Sequence, residues 1–528
     1  MQNELIGAFK QKGVVQDSVH GFIPINEAEY WLLQTAFLRR LHNIKQLGMA
    51  FLVFPSARHS RLEHSLGVMH IASYMSSKVI AELKHNPTLC SELLEYCDEK
   101  HMNVVVQVAR LTGLLHDVGH LAYSHMSESA IEYMAKYDER EGASSLYQEL
   151  ARLSRGTLKV HEAYGLAFIE AIKKLAESSR DMQQLKPYLD VVEGLLNPMG
   201  PSSTGSAKEL GLKSESLSLI HDMISNEIAD ADRLDYLQRD AQATGIVYGN
   251  IDLDRLIEGL KVSITDNGHV ILSLDIKSLQ TLEDIFDARY KMYRSVYFHH
   301  KIMAISKSVS RFIREIPRAK LTLPMYSDDF RDAISPSSLA KAILDDAYYF
   351  DDPELDIIAR LAAGGSDELS KRWALSLMER RDLLPVSLVK RSEELVMLAI
   401  NKLREHGVEP MPAALSQMLN FIGNKVSDLQ EGLRKELKEP DIVVDHFEGT
   451  VVNTETLRSS SVKMFNWDES SYLRALFDQS SIPVVLLYAY SDNIKDHVTL
   501  RSKAAELREV ARRQIAGVLE EGFRYLRT

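Results

Sequence analysis

Cysteine is almost missing: the chain of 528 residues holds only Cys90 and Cys97. So few thiols fit neither a disulfide framework nor a four-thiolate zinc site, so any metal must be held by His, Asp or Glu. Long apolar runs are missing too. The longest fall far short of the roughly 20 residues that cross a bilayer, and MQNELIGAFKQKG at the start has no continuous apolar segment like that of a signal peptide. The expectation is a cytoplasmic protein with no membrane partner. An excess of positive charge is also absent: Lys plus Arg number 62 against 74 Asp plus Glu, for a net charge of -12. That balance does not indicate nucleic-acid binding, which needs extended phosphate neutralisation. It leaves room for a local basic pocket that takes a phosphate-bearing small molecule.

Strand-like segments are few. KVSITDNGHVILSL, with Asn-Gly between alternating apolar residues, reads as a hairpin, and IPVVLLYAY as one buried strand. Elsewhere helical periodicity dominates, as in AEYWLLQTAFLRRLHNIKQLG and SLAKAILDDAYYFDDPELDIIARLAA. The fold class is mainly α. NPMGPSSTGSAKELG, from Asn197, gathers Gly, Pro and Ser and reads as a loop. A weaker break comes at MYSDDFRDAISPSS, and no internal repeat is visible. With this length one core is not expected to suffice, and the division is placed at 1–325 and 326–528, a helical core and a smaller α+β C-terminal lobe. The closing RSKAAELREVARRQIAGVLEEGFRYLRT is an amphipathic helix whose apolar face is expected to pack on that lobe.

Residues 114–125 read LLHDVGHLAYSH. An apolar helix that ends by placing His116, Asp117, His120 and His125 within ten positions concentrates imidazole and carboxylate, the ligand types for zinc, manganese or iron. Burying such groups unpaired costs several kcal/mol, so their grouping points to a metal or catalytic site. Further ligands must come from elsewhere. FPSARHSRLEHSLGVMHIA offers Arg61 and His64 at the opening of a helix, and EIADADRLDYLQRDAQATGI places Asp232, Tyr236, Arg239 and Asp240 on neighbouring turns. Spacing alone does not prefer Asp232 over Asp230 or Asp235.

The ordered set His64, His116-Asp117, Asp232 resembles the HD superfamily of metal-dependent phosphohydrolases. RLHNIKQLGMAFLVFPSARHSRLEHSLGV, LLHDVGHLAYSHMSE, KVHEAYG, DRLDYLQRDAQATGI and DARYKMYRSVYFHHK resemble, in the same order, its deoxynucleoside triphosphate triphosphohydrolases, over about residues 14 to 305. The resemblance implies that His64, His116, Asp117 and Asp232 hold one divalent ion (Mn, Fe, Zn, Ni or Mg) and that His125 and Glu128 assist proton transfer, with His120 and His161 beside them. It makes Arg61, Arg233 and Arg289 phosphate contacts, a task suited to planar, permanently charged guanidinium. Animal members carry lysine at the position of Arg233. It further puts Gln46, Leu47, Tyr236 and Asp240 against a deoxyribose and Tyr297 near the base.

A dNTP substrate and a homo-oligomer follow by the same resemblance. Gln34, Arg39 and His42 depart from it, standing where animal members read an activating guanine nucleotide, so any activator is expected to be a nucleotide other than GTP. Two other functions fit an HD site: hydrolysis of another phosphoester, such as a dNMP or a single-stranded DNA end, and nucleotide sensing without catalysis. The Gln46-Leu47 pair favours the triphosphohydrolase over the first, and the His125-Glu128 pair speaks against the second, because binding needs no proton transfer.

Overall fold

The computed structural model describes residues 9–526 except 138–144, 158, 203, 227, 266, 320–329, 380–381 and 452–469. Most of them are helical, as expected. Among the described residues one compact unit takes 9–288 and 330–355, and the other 289–319, 356–451 and 470–526. The boundary expected at 325 lies outside the described residues.

The first unit opens with an antiparallel hairpin, β1 (Gln11–Asp17) and β2 (Gly21–Asn26). Asp17 Oδ1 accepts from the backbone N–H of Val19 and His20 and closes its turn. Asn26 and Glu29 then form a capping box that starts α1 (Glu27–Gln34). A second capping box, Ser60 with Glu63, starts α2 (Arg61–Leu83), and Asp98 caps α3 (Glu99–Leu115). After these come α4 (His125–Tyr137), α5 (Val160–Ser178) and α6 (Ala231–Thr244). The Asn-Gly hairpin forms as expected, from β3 (Leu260–Ile264) and β4 (Val270–Leu274). The long helical pattern after Ser338 breaks at 345–351, between helices Pro336–Leu344 and Asp352–Ala363.

The second unit is built around a three-stranded antiparallel sheet. In it β7 (Val484–Tyr490), the buried strand expected from IPVVLLYAY, lies between β5 (Val386–Ser387) and β6 (Val443–Gly449). Helices Ser392–Glu405, Pro412–Asn424 and Val426–Leu437 cover it. The C-terminal helix Ala504–Leu526 buries Leu507, Val510, Ile515, Leu519 and Phe523 in the same core, as its amphipathic pattern expects.

Cys90 and Cys97 pair with each other in the first unit, a single local cross-link seven residues apart rather than a framework. No helix among the described residues is long and apolar enough to cross a membrane.

Candidate active site

Three helices of the first unit bring the HD residues together. His64 lies in the first turn of α2, His116 and Asp117 follow the last turn of α3, and Asp232 lies in the first turn of α6. His64 Nε2 is 3.0 Å from Asp232 Oδ1 and 3.4 Å from Asp117 Oδ2. His116 Nε2 is 3.4 Å from Asp117 Oδ1 and 3.7 Å from Asp232 Oδ1. Both Nε2 atoms are buried and make no hydrogen bond. Both Nδ1 atoms, in contrast, are engaged: His64 Nδ1 donates to Asp235 Oδ2 at 2.7 Å and His116 Nδ1 to the Gly113 carbonyl at 2.8 Å. Because those acceptors require the proton on Nδ1, each ring, once neutral as a metal ligand must be, directs a bare Nε2 lone pair at the carboxylates. That is how imidazoles are oriented for a divalent ion, and outer hydrogen bonds of this kind raise ligand basicity.

The support behind His64 is itself built. Asp235 takes Arg239 Nε at 2.9 Å and His20 Nε2 at 2.6 Å, and Arg239 reaches Asp17 Oδ2 at 2.9 Å. Gly67 makes room for it, since a Cβ there would lie 1.8 Å from Asp235 Oδ1. The three aspartates that spacing left equivalent thus separate. Asp230 caps α6 by accepting from Arg233 N, Asp235 grips the outer nitrogen of His64, and Asp232 meets the inner one. Burial depresses the His64 imidazolium, but Asp232, Asp235 and Asp117 outweigh it and raise the group to about 10. Burial raises the Asp232 carboxyl, yet His116 and His64 leave it well below the usual carboxylate range.

A second cluster adjoins the first through His120, whose Nε2 is 3.2 Å from Asp117 Oδ1. Glu128 Oε1 is the centre of this cluster: His120 Nδ1 at 3.0 Å, His125 Nδ1 at 3.1 Å and His161 Nδ1 at 3.2 Å converge on it. The His120 and His161 rings stack at 4.5 Å, and the His125 side chain remains 65% exposed, open to a reacting group. Burial would raise Glu128, but His125 and His161 hold it well below its usual value, so it is ionised. Burial and the Arg61 charge push His120 down to about 4. Gly119 is needed here: a Cβ would come 2.0 Å from the His161 carbonyl, at the start of α5.

The turn that delivers His125 is unusual. Tyr123 and Ser124 have φ of 56° and 55°, left-handed values that side chains rarely adopt without support. Asp352 Oδ1 accepts from Tyr123 N at 2.6 Å, and its Oδ2 binds Lys45 Nζ at 2.9 Å; Ser124 Oγ donates to the Lys45 carbonyl at 2.7 Å. Arg61 joins this turn to the His64 cluster, with Nε on Ser124 Oγ at 2.9 Å and Nη1 on Asp117 Oδ2. Gln46 is buried with its Oε1 unpartnered, and Leu47 and Gly48 follow it, the latter against the Tyr123 carbonyl and Met126.

Arg233 pairs with Asp230, Tyr236 is half-buried on α6, and Asp240 accepts from His59 Nε2 at 2.8 Å. Arg289 and Tyr297 belong to the second unit, where both rest against Tyr293. Sequence reasoning missed Asp17, His20, His59 and Asp352; of the outer residues, only Arg239, four positions after Asp235 on α6, had a local signal.

A family model of the HD domain matches residues 61–240, the span that contains both clusters. The human deoxynucleoside triphosphate triphosphohydrolase SAMHD1 is 32% identical over 293 residues, 54% of this chain and 42% of that protein. An uncharacterised protein of Methanocaldococcus jannaschii is 30% identical over 311 residues, 59% of this chain and 51% of its own. The chain spans about half the length of the curated relatives it matches. Among solved structures, a hypothetical protein from Aquifex aeolicus aligns with a TM-score of 0.58 at 22% identity, over 94% of this chain and 99% of that one. A phosphohydrolase from Bacteroides thetaiotaomicron aligns with a TM-score of 0.56 at 18% identity, over 91% and 100%. These two share the fold. With the domain match and the ordered site in agreement, residues 61–240 form an HD domain, and the chain is similar over that region to a deoxynucleoside triphosphate triphosphohydrolase.

Proposed function

We propose that the protein is a metal-dependent triphosphohydrolase that converts a deoxynucleoside triphosphate to the deoxynucleoside and inorganic triphosphate. The observation that carries this reading is the pair of buried, unpartnered Nε2 atoms of His64 and His116 facing Asp117 and Asp232, beside a separate proton-handling set on Glu128. Two imidazoles and two carboxylates suit manganese, iron, zinc, nickel or magnesium to different degrees. When bound, such an ion supplies a Lewis acid for the phosphate and lowers the pKa of water.

The remaining work falls to side chains. Arg61, held beside Asp117, and Arg233 on α6 offset charge on the phosphate oxygens as water attacks the α-phosphorus. Ionised Glu128 orients the exposed His125 ring, which gives a proton to the leaving 5′-oxygen. His120 and His161 stand beside Glu128. Gln46 Oε1, lacking a partner, accepts from the 3′-hydroxyl, and Leu47 fills the space of a ribose 2′-hydroxyl. Tyr236 and Asp240 complete the sugar face, the latter fixed by His59. The resemblance further assigns Arg289 to phosphate and Tyr297 to the base. The same reading makes the protein a cytoplasmic homo-oligomer, and any activator a nucleotide other than GTP.

Chromatography of products after incubation with each of the four dNTPs and Mn²⁺ or Mg²⁺ tests the proposal. Deoxynucleoside with inorganic triphosphate is the expected outcome. A dNMP product, or preferential cleavage of dNMPs or single-stranded DNA ends, would show a different phosphohydrolase, and bound dNTP without product would show a sensor.

A further inference from the structure

Glu128 Oε1 has three imidazole nitrogens around it at 3.0, 3.1 and 3.2 Å. A carboxylate oxygen has two lone pairs, so three N–H donors cannot all be satisfied there. Only His125 Nδ1 meets it with hydrogen-bond geometry. His120 Nδ1 and His161 Nδ1 are buried and have no hydrogen-bond partner, although both point at the same oxygen. For His120 the tautomer follows from its surroundings: Nε2, 3.2 Å from Asp117 Oδ1, carries the proton, which leaves Nδ1 as a bare lone pair. The His120 lone pair, directed at the carboxylate, repels it. A cation between them removes the conflict.

The dimensions fit one. A tetrahedral ion with bonds of about 2.0–2.1 Å has ligand-to-ligand edges of about 3.3 Å. The three edges from Glu128 lie close to that length, and one ligating atom from each of the four residues falls within 4.8 Å of every other. The donors are held by separate elements: His120 on the turn after α3, His125 and Glu128 on the first turn of α4, and His161 on the first turn of α5. Three imidazoles with one carboxylate select zinc-class ions over magnesium or calcium, which prefer oxygen.

We propose that His120, His125, Glu128 and His161 form a second transition-metal site of zinc class, distinct from the His64 site, whose occupancy silences the enzyme. The inhibitory part rests on the proton-transfer role given to this set above. Once the three nitrogen lone pairs and the Glu128 oxygen are engaged by an ion, His125 has no route to accept and release a proton. Excess zinc then stops turnover while the first site stays filled.

The test uses the full chain, stripped with chelator and titrated with Zn²⁺ or Co²⁺ alone. Elemental analysis after desalting and calorimetry should give two equivalents in the wild type, and Co²⁺ should develop the intense visible absorption of a tetrahedral site. His125→Ala, at an exposed side chain, and Glu128→Gln should each lose one equivalent and that absorption while keeping the other equivalent. Asp232→Ala should lose the opposite one. A single equivalent in the wild type, removed by Asp232→Ala, overturns the second site, with matched circular dichroism and melting temperature showing that the variants are folded. Two equivalents in a protein that hydrolyses no dNTP keep the site and overturn only its inhibitory role. With turnover measured at fixed Mn²⁺, added zinc should lower kcat at least about tenfold. Undiminished kcat with two ions bound would overturn the silencing.

Discussion

The His64 cluster and the Glu128 cluster use the same residue types and touch through Asp117 and His120, yet they are supported differently. His64 and His116 each commit Nδ1 to an outer acceptor, and the acceptor of His64 is gripped in turn by Arg239 and His20. At Glu128 the imidazoles turn inward on one another's partner, and one of them, His125, stands open to solvent. The contrast teaches that the same residue types are oriented differently by their outer hydrogen bonds, and on the proposed reading this decides which cluster keeps an ion and which keeps protons exchangeable.

The sharpest way to break the comparison is within the first cluster. Asp117→Ala or His116→Ala should abolish both metal retention and turnover, because each removes one of the four ligands proposed for the ion. Full occupancy by elemental analysis in both variants would remove these residues from the ligand set. In the second cluster His125→Ala should keep the resident metal and lose at least about a hundredfold in kcat, the scale of a positioned acid-base group. Steady-state kinetics giving an unchanged kcat would take His125 out of the mechanism.

Outer support should matter less than a ligand. Asp235→Asn keeps the shape but weakens the charge behind His64, and should lower metal affinity by about 10–100-fold in a chelator competition. An affinity equal to wild type would mean that the Asp17–Arg239–Asp235 chain is structural only.

The smallest effect concerns pH. With its folded value raised to about 10 from 6.5, His64 stabilises the metal-free protein through its proton. That contribution is full below about 6.5 and is lost as pH rises through about 10. A metal must displace this proton, whereas Asp232 is already ionised, so affinity should rise with pH by up to about tenfold per unit. Calorimetry in buffers of different ionisation enthalpy should show proton release; none, with affinity flat between pH 6 and 8, would contradict the protonation assigned to His64.

How much of this was legible before the structure follows from sequence distance. His116, Asp117 and His125 stood out because they crowd the end of one apolar helix, and the buried strand at Val484–Tyr490 because its apolar run is continuous. Asp232 was inseparable from Asp230 and Asp235, since helical spacing says which residues share a face but not which partner waits there. The hairpin Gln11–Asn26 escaped notice because its turn carries no Asn-Gly signal and its Asp17 finds Arg239 across 222 positions. Asp352 supports the Tyr123 turn from 229 positions away, a contact that only tertiary packing creates.

The central claim is that water attacks the α-phosphorus at the His64 site and expels the deoxynucleoside. Turnover of a dNTP in water enriched in heavy oxygen, with mass analysis of both products, tests it most directly. The account predicts one heavy oxygen in the inorganic triphosphate and none in the deoxynucleoside. Label in the deoxynucleoside would mean attack at the 5′-carbon, and label in a dNMP or in pyrophosphate would mean cleavage of a different bond; either result contradicts it.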